Sequence, residues 1–281
     1  MGNALVLAGG GVAGVAWELG VLRGIGDADP SLAAGIVGAD LIVGTSAGAV
    51  VAAQITSGTA VAELYRVQLR AETTELHVDI DLQELLAGWA AAAAGGGDRQ
   101  EVCRRIGAIA LAADTVEEPV RRAVIAGRLP GKDWPQRPIL LPAIDAHTGQ
   151  TVVFTRESGI ELVDAVAASC AVPGVWPPVT IDGHRYIDGG VRSVTNADLA
   201  AGSDPVLIIQ PLLADAPRPW GNLQEEITQL EPAGVYVISA DQDSLEAFGT
   251  NPLAPTTRGP SARAGRAVGQ RHAATLATFW H

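Results

Sequence analysis

Short apolar runs alternate along the chain with segments of helical spacing. Short, continuously apolar runs are typical of strands buried on both faces of a parallel sheet. The predicted strands cover residues 4–8, 36–43, 139–144, 151–154, 179–181, 185–187, 206–210 and 235–239. Apolar positions at helical spacing predict helices over 15–25, 49–56, 60–71, 161–171 and 260–280. This alternation predicts an α/β domain.

Residues 72–130 interrupt the alternation. From 82 to 127 the pattern is helical but broken, and an Ala/Gly run at 90–97 predicts the end of one helix and a loop. We interpret 72–130 as a helical insertion or lid. Because no internal repeat and no clear linker divides the chain, residues 1–281 are predicted to form a single domain.

Composition narrows the range of functions. Hydrophobic residues make up 48% of the 281 positions and aromatic residues only 4%, so a sizeable aliphatic core is expected. The net charge of −12 argues against nucleic-acid partners, and it opposes long-range attraction to anionic membranes. The two cysteines lack metal-ligand spacing, and neither a metal nor a cofactor is expected. No signal peptide and no apolar run of membrane-spanning length is found, so a cytoplasmic protein is expected.

A sharp turn carrying a serine follows the second predicted strand. Gly44, Ser46 and Gly48 have the G-x-S-x-G spacing of an elbow that holds a serine hydroxyl out of the backbone at a helix N-terminus. The flanking glycines allow the turn and the close approach of the next element. The chemistry that this predicts is nucleophilic attack by Ser46 on an ester or another acyl group.

Two further motifs suit the same chemistry. Gly9, Gly10 and Gly11 follow the first predicted strand and offer backbone N–H groups that are able to hold an oxyanion. Asp188 ends a short strand that follows the hairpin signal at Asp182 and Gly183, and it is a candidate to accept the Ser46 proton.

In this order the motifs resemble those of the patatin-like phospholipases, which are serine lipid acyl hydrolases. That family combines a G-G-G-x-[R/K]-G loop, a G-x-S-x-G elbow and a D-G-[G/A] motif. The resemblance covers about residues 4–210, including the stretch from Ser169 to Val179 that precedes Asp188. It implies a three-layer α/β/α patatin-like fold with a central, mostly parallel sheet.

The resemblance also implies roles for individual residues. Ser46 would be the nucleophile and Asp188 its base, in a dyad without histidine. The oxyanion hole would be formed by Gly9, Gly10 and Gly11. The glycines that support the motifs would be Gly14, Gly44, Gly48, Gly189 and Gly190. A free aspartate is a weak base at pH 7, so this role requires a raised pKa. Burial among apolar neighbours such as Ile187, Val175 and Trp176 is expected to raise the pKa of Asp188.

The chain departs from the family pattern at two places. Ala13 stands where the glycine-rich loop has its basic residue, so that position provides no side-chain cation for the oxyanion. After the aspartate motif, Asn196-Ala197-Asp198 replaces the usual Asn-x-Pro. The first departure bears mainly on the substrate: it argues against a preference for phospholipid head groups. It bears less on the acyl chemistry.

Other interpretations of single motifs are weaker. The spacing of Gly9, Gly11 and Gly14 also fits a dinucleotide-binding turn, but that turn expects an acidic residue at the end of the second strand. Here the predicted strand ends at Val43, before Gly44, and Asp40 lies ahead of this end. A Ser–Asp–His triad would need His272, which lies in an arginine-rich helical segment. The acidic pairs Asp79/Asp81 and Asp241/Asp243 lack the further oxygen ligands of a metal site.

The function predicted from the sequence is hydrolysis of lipid or other carboxylic acyl esters through an acyl-enzyme. One alternative is acyl transfer to an alcohol or amine from the same intermediate, and another is a non-catalytic lipid- or nucleotide-binding module. The expected partner is a lipid or ester substrate. Transient contact with a membrane surface and the oligomeric state are left open.

Overall fold

Residues 2–78, 80–214 and 223–280 are described by the computed structural model. Asp79 and most of the loop predicted over 211–219 lie outside these residues. Where the structure describes the chain, the strands are β1 (Ala4–Leu7), β2 (Leu41–Gly44), β3 (Ile139–Asp145), β4 (Thr151–Phe154), β5 (Val179–Ile181), β6 (His184–Asp188), β7 (Val206–Gln210) and β8 (Val235–Ser239).

Helices connect these strands. They are α1 (Gly11–Ala28), α2 (Pro30–Val37), α3 (Ala47–Ile55), α4 (Val61–Gln68), α5 (Leu82–Ala94), α6 (Arg99–Ala112), α7 (Glu118–Arg128), α8 (Leu162–Ser169), α9 (Leu223–Leu230), α10 (Gln242–Phe248) and α11 (Arg258–Phe279). Short 3₁₀ turns follow the strands or precede helices at Arg156–Ser158, Gly189–Val191, Ala197–Ala200 and Pro255–Thr257.

The strands form one mixed sheet in the order β5-β6-β3-β2-β1-β7-β8, with β4 paired to β3. β1 lies between β2 and β7 and is parallel to both. The antiparallel pairs are β3–β4, β3–β6 and β5–β6. The β5–β6 pair confirms the hairpin predicted at Asp182 and Gly183.

Helices cover both faces of the sheet. Successive side chains of a strand point to opposite faces, and in the central strands the side chains on both faces are apolar and need to be covered. In β1, Leu5 and Leu7 enter a core shared with α1, α3, α8 and α11. Ala4 and Val6 enter a second core, shared with α9 and the Ala197–Ala200 turn. This arrangement confirms the three-layer α/β/α fold with a mostly parallel sheet.

Small residues allow α1 and α11 to pack closely. A side-chain carbon added at Gly265 would lie 2.1 Å from the carbonyl oxygen of Trp17, and one at Gly24 would lie 2.1 Å from that of Arg266. Neither position has room for a larger residue. The long C-terminal helix therefore fixes α1, the helix that begins at the glycine-rich turn.

The sequence missed three short helices. Residues 36 and 37, which we predicted to begin the second strand, belong to α2, so that prediction was wrong. The start signal was present, because Asp29 accepts hydrogen bonds from the amides of Ser31 and Leu32 and Pro30 occupies the first turn. The short apolar run resembled a strand because α2 spans only two turns. Helices α9 and α10 were not predicted.

The segment 72–130 contains α5, α6 and α7. No residue of α5 is buried, whereas α7 buries Arg121, Val124 and Ile125. Its role as an insertion or lid, and the extent of the single domain, stay predictions. Within the described ranges, no helix combines the length and the apolar character needed to cross a bilayer.

Candidate active site

Ser46 stands at the apex of a tight turn between β2 and α3. Its backbone has φ 53° and ψ −111°, a sparsely populated conformation for a residue with a side chain. Glycines make this turn possible: a side-chain carbon at Gly48 would lie 2.1 Å from the carbonyl oxygen of Leu7, and one at Gly44 would lie 2.5 Å from that of Gly48. The strained elbow presents Ser46 at the carboxyl end of the central strands.

Asp188 lies at the end of β6, beside Ala143 of β3. Its Oδ1 atom accepts a hydrogen bond from the amide of Gly190 at 2.7 Å, while its buried Oδ2 atom has no hydrogen bond of good geometry among the described residues. The Ser46 hydroxyl is nevertheless close enough to lower the pKa of this carboxyl. Catalytic hydrogen bonds are often long until substrate binds.

Burial raises the pKa of Asp188 to about 7. The side chain is only 5% exposed, so the charged form loses most of its hydration. The Ser46 hydroxyl, the Gly190 amide and the charge of Arg121 act in the opposite direction. The elevated pKa follows the expectation from the apolar neighbours of Asp188 and brings the carboxyl into the range of an effective general base.

The glycine-rich turn offers fewer free amides than the sequence predicted. The N–H of Gly9 donates to the carbonyl oxygen of Val194 at 2.8 Å, so the donor role expected of Gly9 needs correction. Gly9 instead packs against the serine, with its side-chain position 3.5 Å from Cβ of Ser46. The amides of Gly10 and Gly11 have no acceptor among the described residues and begin α1.

A further free amide comes from the elbow itself. The N–H of Ala47, the first residue of α3, has no acceptor in the described part of the chain. The rule that the residue after an elbow serine donates to the oxyanion would have identified it. Gly14 packs against Ala47: a side-chain carbon added at Gly14 would lie 3.1 Å from the Ala47 methyl group. The turn and the elbow therefore face each other at two helix N-termini.

Two residues at the end of α8 form hydrogen bonds with the backbone of Ser46. Ser169 accepts a hydrogen bond from the Ser46 amide at 3.0 Å, and the thiol of Cys170 donates to the Ser46 carbonyl oxygen at 3.1 Å. Burial raises the pKa of Cys170 to about 12, so this thiol stays protonated and able to donate. No local sequence signal predicts this contact.

Gly189 allows a close approach behind Asp188. A side-chain carbon at Gly189 would lie 2.3 Å from the carbonyl oxygen of Pro142 in β3. The chain then runs to Asn196, which is fully buried and has a left-handed backbone, φ 48°. The asparagine side chain contacts both motifs, through Thr45 and Gly189.

A small cavity borders Ser46. It leaves about 10 Å³ for the centre of a water-sized molecule, roughly the room that one water needs. Its walls include Gly11, Val12, Arg121, Trp176 and Leu253. The arginine comes from α7, far along the chain from the motifs, and no local sequence signal marks it.

The structure does not bring the alternative site residues to this cavity. Asp40 precedes β2 and accepts a hydrogen bond from the Asn3 amide, at the opposite end of that strand from Ser46. His272 lies on α11 with its Nδ1 atom 2.9 Å from the Tyr236 hydroxyl, and the described cavity lining contains no histidine.

One aspartate of each acidic pair caps a helix. Asp81 and Asp241 cap the N-termini of α5 and α10. No group of three or more His, Cys, Asp or Glu residues in the described ranges is arranged to hold a metal ion.

The strained serine elbow at the carboxyl end of a mostly parallel sheet places the chain among α/β proteins built around a nucleophile elbow. The family model of the patatin-like phospholipases matches residues 5–201. The chain belongs to the patatin-like phospholipase family, a family of lipid acyl hydrolases.

Solved structures of similar shape include VipD from Legionella pneumophila and the type III effector protein ExoU. VipD is 12% identical, with a TM-score of 0.49, and the match covers 99% of this chain and 67% of VipD. ExoU is 16% identical, with a TM-score of 0.42, and the match covers 98% of this chain and 53% of ExoU. Thus the chain spans about half the length of ExoU. Family membership follows from the family model alone.

Proposed function

We propose that the protein hydrolyses carboxylic esters of lipids through an acyl-enzyme on Ser46, with Asp188 as general base. The observation that carries this proposal is the strained Ser46 beside a buried carboxyl whose pKa is raised to about 7. An ordinary solvated aspartate would be too weak a base for this step at neutral pH.

In the first half of the reaction, Ser46 Oγ attacks the ester carbonyl carbon and its proton passes to Asp188 Oδ2. This atom lacks another well-formed hydrogen bond, so it is available to accept the proton. The amides of Gly10, Gly11 and Ala47 would donate to the resulting oxyanion. The C–O bond to the alcohol then breaks, and Asp188 returns the proton to the departing oxygen.

In the second half, water attacks the acyl-serine ester. Asp188 takes a proton from this water, the tetrahedral intermediate collapses, and Ser46 regains its proton as the fatty acid leaves. The cavity beside Ser46 has room for about one water. An alcohol in place of this water would give acyl transfer, which product analysis with added acceptor alcohols separates from hydrolysis.

The test is active-site labelling with a fluorophosphonate probe, followed by peptide mass spectrometry. We expect a single adduct on Ser46, no adduct in Ser46→Ala, and slower labelling in Asp188→Asn. Arg104→Gln, at an exposed ion pair with Glu101 on α6, serves as the matched control and should label at the wild-type rate. The absence of a Ser46 adduct in folded wild-type protein would overturn the proposal in favour of a binding module.

A further inference from the structure

Helix α7 carries a buried arginine whose charge is not matched by a carboxylate. Arg121 is 5% exposed, and its Nε and Nη1 atoms have no hydrogen-bond partner among the described residues. Its guanidinium carbon lies 3.7 Å from the centre of the Trp176 ring. A cation–π contact offsets only part of the cost of burying a charge.

The other arginines of α7 are paired. Arg122 bonds to Asp164 and Glu161, and Arg128 makes two hydrogen bonds to Glu75, at 2.7 and 2.5 Å. Arg121 forms no ion pair of this kind within the described ranges. Helix α7 therefore carries one buried arginine without a carboxylate partner among the described residues. A buried unpaired charge of this kind destabilises the folded state.

This cation faces the proposed reaction centre. Arg121 and Ser46 line the same small cavity, and the charge of Arg121 acts on Asp188. Burial lowers the pKa of Arg121 to about 9, which leaves the side chain charged at neutral pH.

The glycine-rich loop lacks a cation of its own. Ala13, at the family's basic position, is completely buried in α1, and its amide donates to the carbonyl oxygen of Pro252. No charged side chain extends from that position towards Ser46. A cation for the acyl centre must therefore come from another element.

We propose that the Arg121 guanidinium stabilises the oxyanion formed during acyl transfer to Ser46, in place of the basic residue absent at position 13. This inference rests on the proposed serine chemistry. When Ser46 gives its proton to Asp188, the negative charge moves from that carboxylate to the substrate oxygen. Because Arg121 lines the cavity in which this oxygen lies, and Asp188 does not, the interaction strengthens in the transition state.

The proposal is tested by steady-state kinetics of Arg121→Gln and Arg121→Lys on two substrates. One is p-nitrophenyl butyrate, which has no charge, and the other is phosphatidylcholine in vesicles. We expect Arg121→Gln to lower kcat about 10²–10³-fold on both substrates with little change in KM, as for loss of an oxyanion donor. Arg121→Lys should recover part of kcat. Arg122→Gln, on the same helix but directed at Asp164, should stay close to wild type.

A melting experiment separates this role from a structural one. Arg121→Met keeps an apolar contact with Trp176 and removes the unpaired charge, so its Tm should equal or exceed that of wild type while kcat falls. A lower Tm together with no recovery by lysine would overturn the proposal and assign Arg121 to the fold.

Two other outcomes are equally informative. A raised KM on phosphatidylcholine with unchanged kcat on the butyrate ester would overturn the proposal in favour of head-group phosphate binding. An inactive wild-type protein that forms no Ser46 adduct would refute the serine chemistry, whereas wild-type labelling with fully active Arg121 variants would refute only the role of Arg121.

Discussion

The side-chain amide of Asn196 donates a hydrogen bond to the hydroxyl of Thr45, at 3.1 Å. The same nitrogen lies 3.3 Å from the carbonyl oxygen of Gly189 and 2.6 Å from that of Ser193. Thr45 precedes the proposed nucleophile and Gly189 follows the proposed base. One buried amide therefore joins the two turns whose relative position decides whether a proton is able to pass between them.

We predict that Asn196→Gly lowers kcat/KM about 10²-fold, because a misplacement of about 1 Å at a reaction centre has an effect of this size. Glycine removes the amide and still accepts the left-handed backbone, which alanine would strain. Ester hydrolysis and the free energy of unfolding are measured together. Asn3→Ala is the control, since Asn3 accepts a hydrogen bond from Asp40 at the far end of the sheet. Wild-type kinetics in folded Asn196→Gly would refute the role of this amide.

The pH dependence of hydrolysis should follow Asp188. A general base acts when deprotonated, so kcat/KM is expected to rise with pH, reach half of its maximum near pH 7 and level off above. The profile is measured between pH 5 and 9 on an ester without a titrating group. A half-maximum near pH 4, or no rise across this range, would show that a buried Asp188 is not the base.

The free energy of unfolding should fall as pH rises, whereas the activity should rise. Because folding raises the pKa of Asp188 from 3.8 to about 7, the folded state binds more protons than the unfolded state between these values. The contribution is favourable at low pH and is lost as pH rises through 7, by about 4 kcal/mol at most. Burial also raises the pKa of Glu18, which adds to the same trend.

Asp188→Asn should therefore unfold at higher denaturant concentration than wild type at pH 8, with a smaller difference at pH 5. Urea unfolding at the two pH values measures this effect. Glu18→Gln is a second test of the same effect: it removes another buried carboxyl, one that contacts the backbone of Ala8, and should also gain stability at pH 8. A destabilised Asp188→Asn at pH 8 would mean that the carboxyl is held charged.

The sequence was sufficient for the elements that depend on local signals. The strand–turn–helix around Ser46 needs glycines at fixed positions, since Gly48 packs onto the Leu7 carbonyl, and such requirements are visible in a sequence. The apolar strands and the β5–β6 hairpin were visible for the same reason. These motifs identify two turns, and the structure brings Ser46 and Asp188, which lie on them, close together.

The rest of the site depends on contacts between distant segments. Arg121 and Trp176 are 55 positions apart and meet only because α7 packs against the α8 region. Likewise, the amide of Gly9 is occupied by Val194, and this pairing has no local sequence signal. A glycine-rich turn predicts free amides in general, but tertiary contacts decide which of them stay free.

Contact with a lipid surface gives a last prediction. Of the four large hydrophobic side chains exposed in the described ranges, Leu86, Val116 and Val120 belong to the segment 72–130, and only Leu69 lies outside it. A contiguous exposed apolar patch marks a site of contact with lipid or another apolar partner, and we expect these side chains to form one. We predict that Leu86→Ser/Val120→Ser hydrolyses phosphatidylcholine vesicles about tenfold more slowly, because two apolar contacts are together worth roughly 1–2 kcal/mol. Hydrolysis of soluble p-nitrophenyl butyrate should be unchanged, since neither side chain lines the Ser46 cavity.

Vesicle sedimentation provides the second readout, and the variant should remain in the supernatant at lipid concentrations that sediment wild type. Leu69→Ser is the matched control, because Leu69 is similarly exposed, at 39%, but follows α4 outside the segment. Equal losses on vesicles and on the soluble ester would indicate damage to the fold. Equal binding of the double variant and wild type would assign the apolar group to a protein partner or to exposure alone.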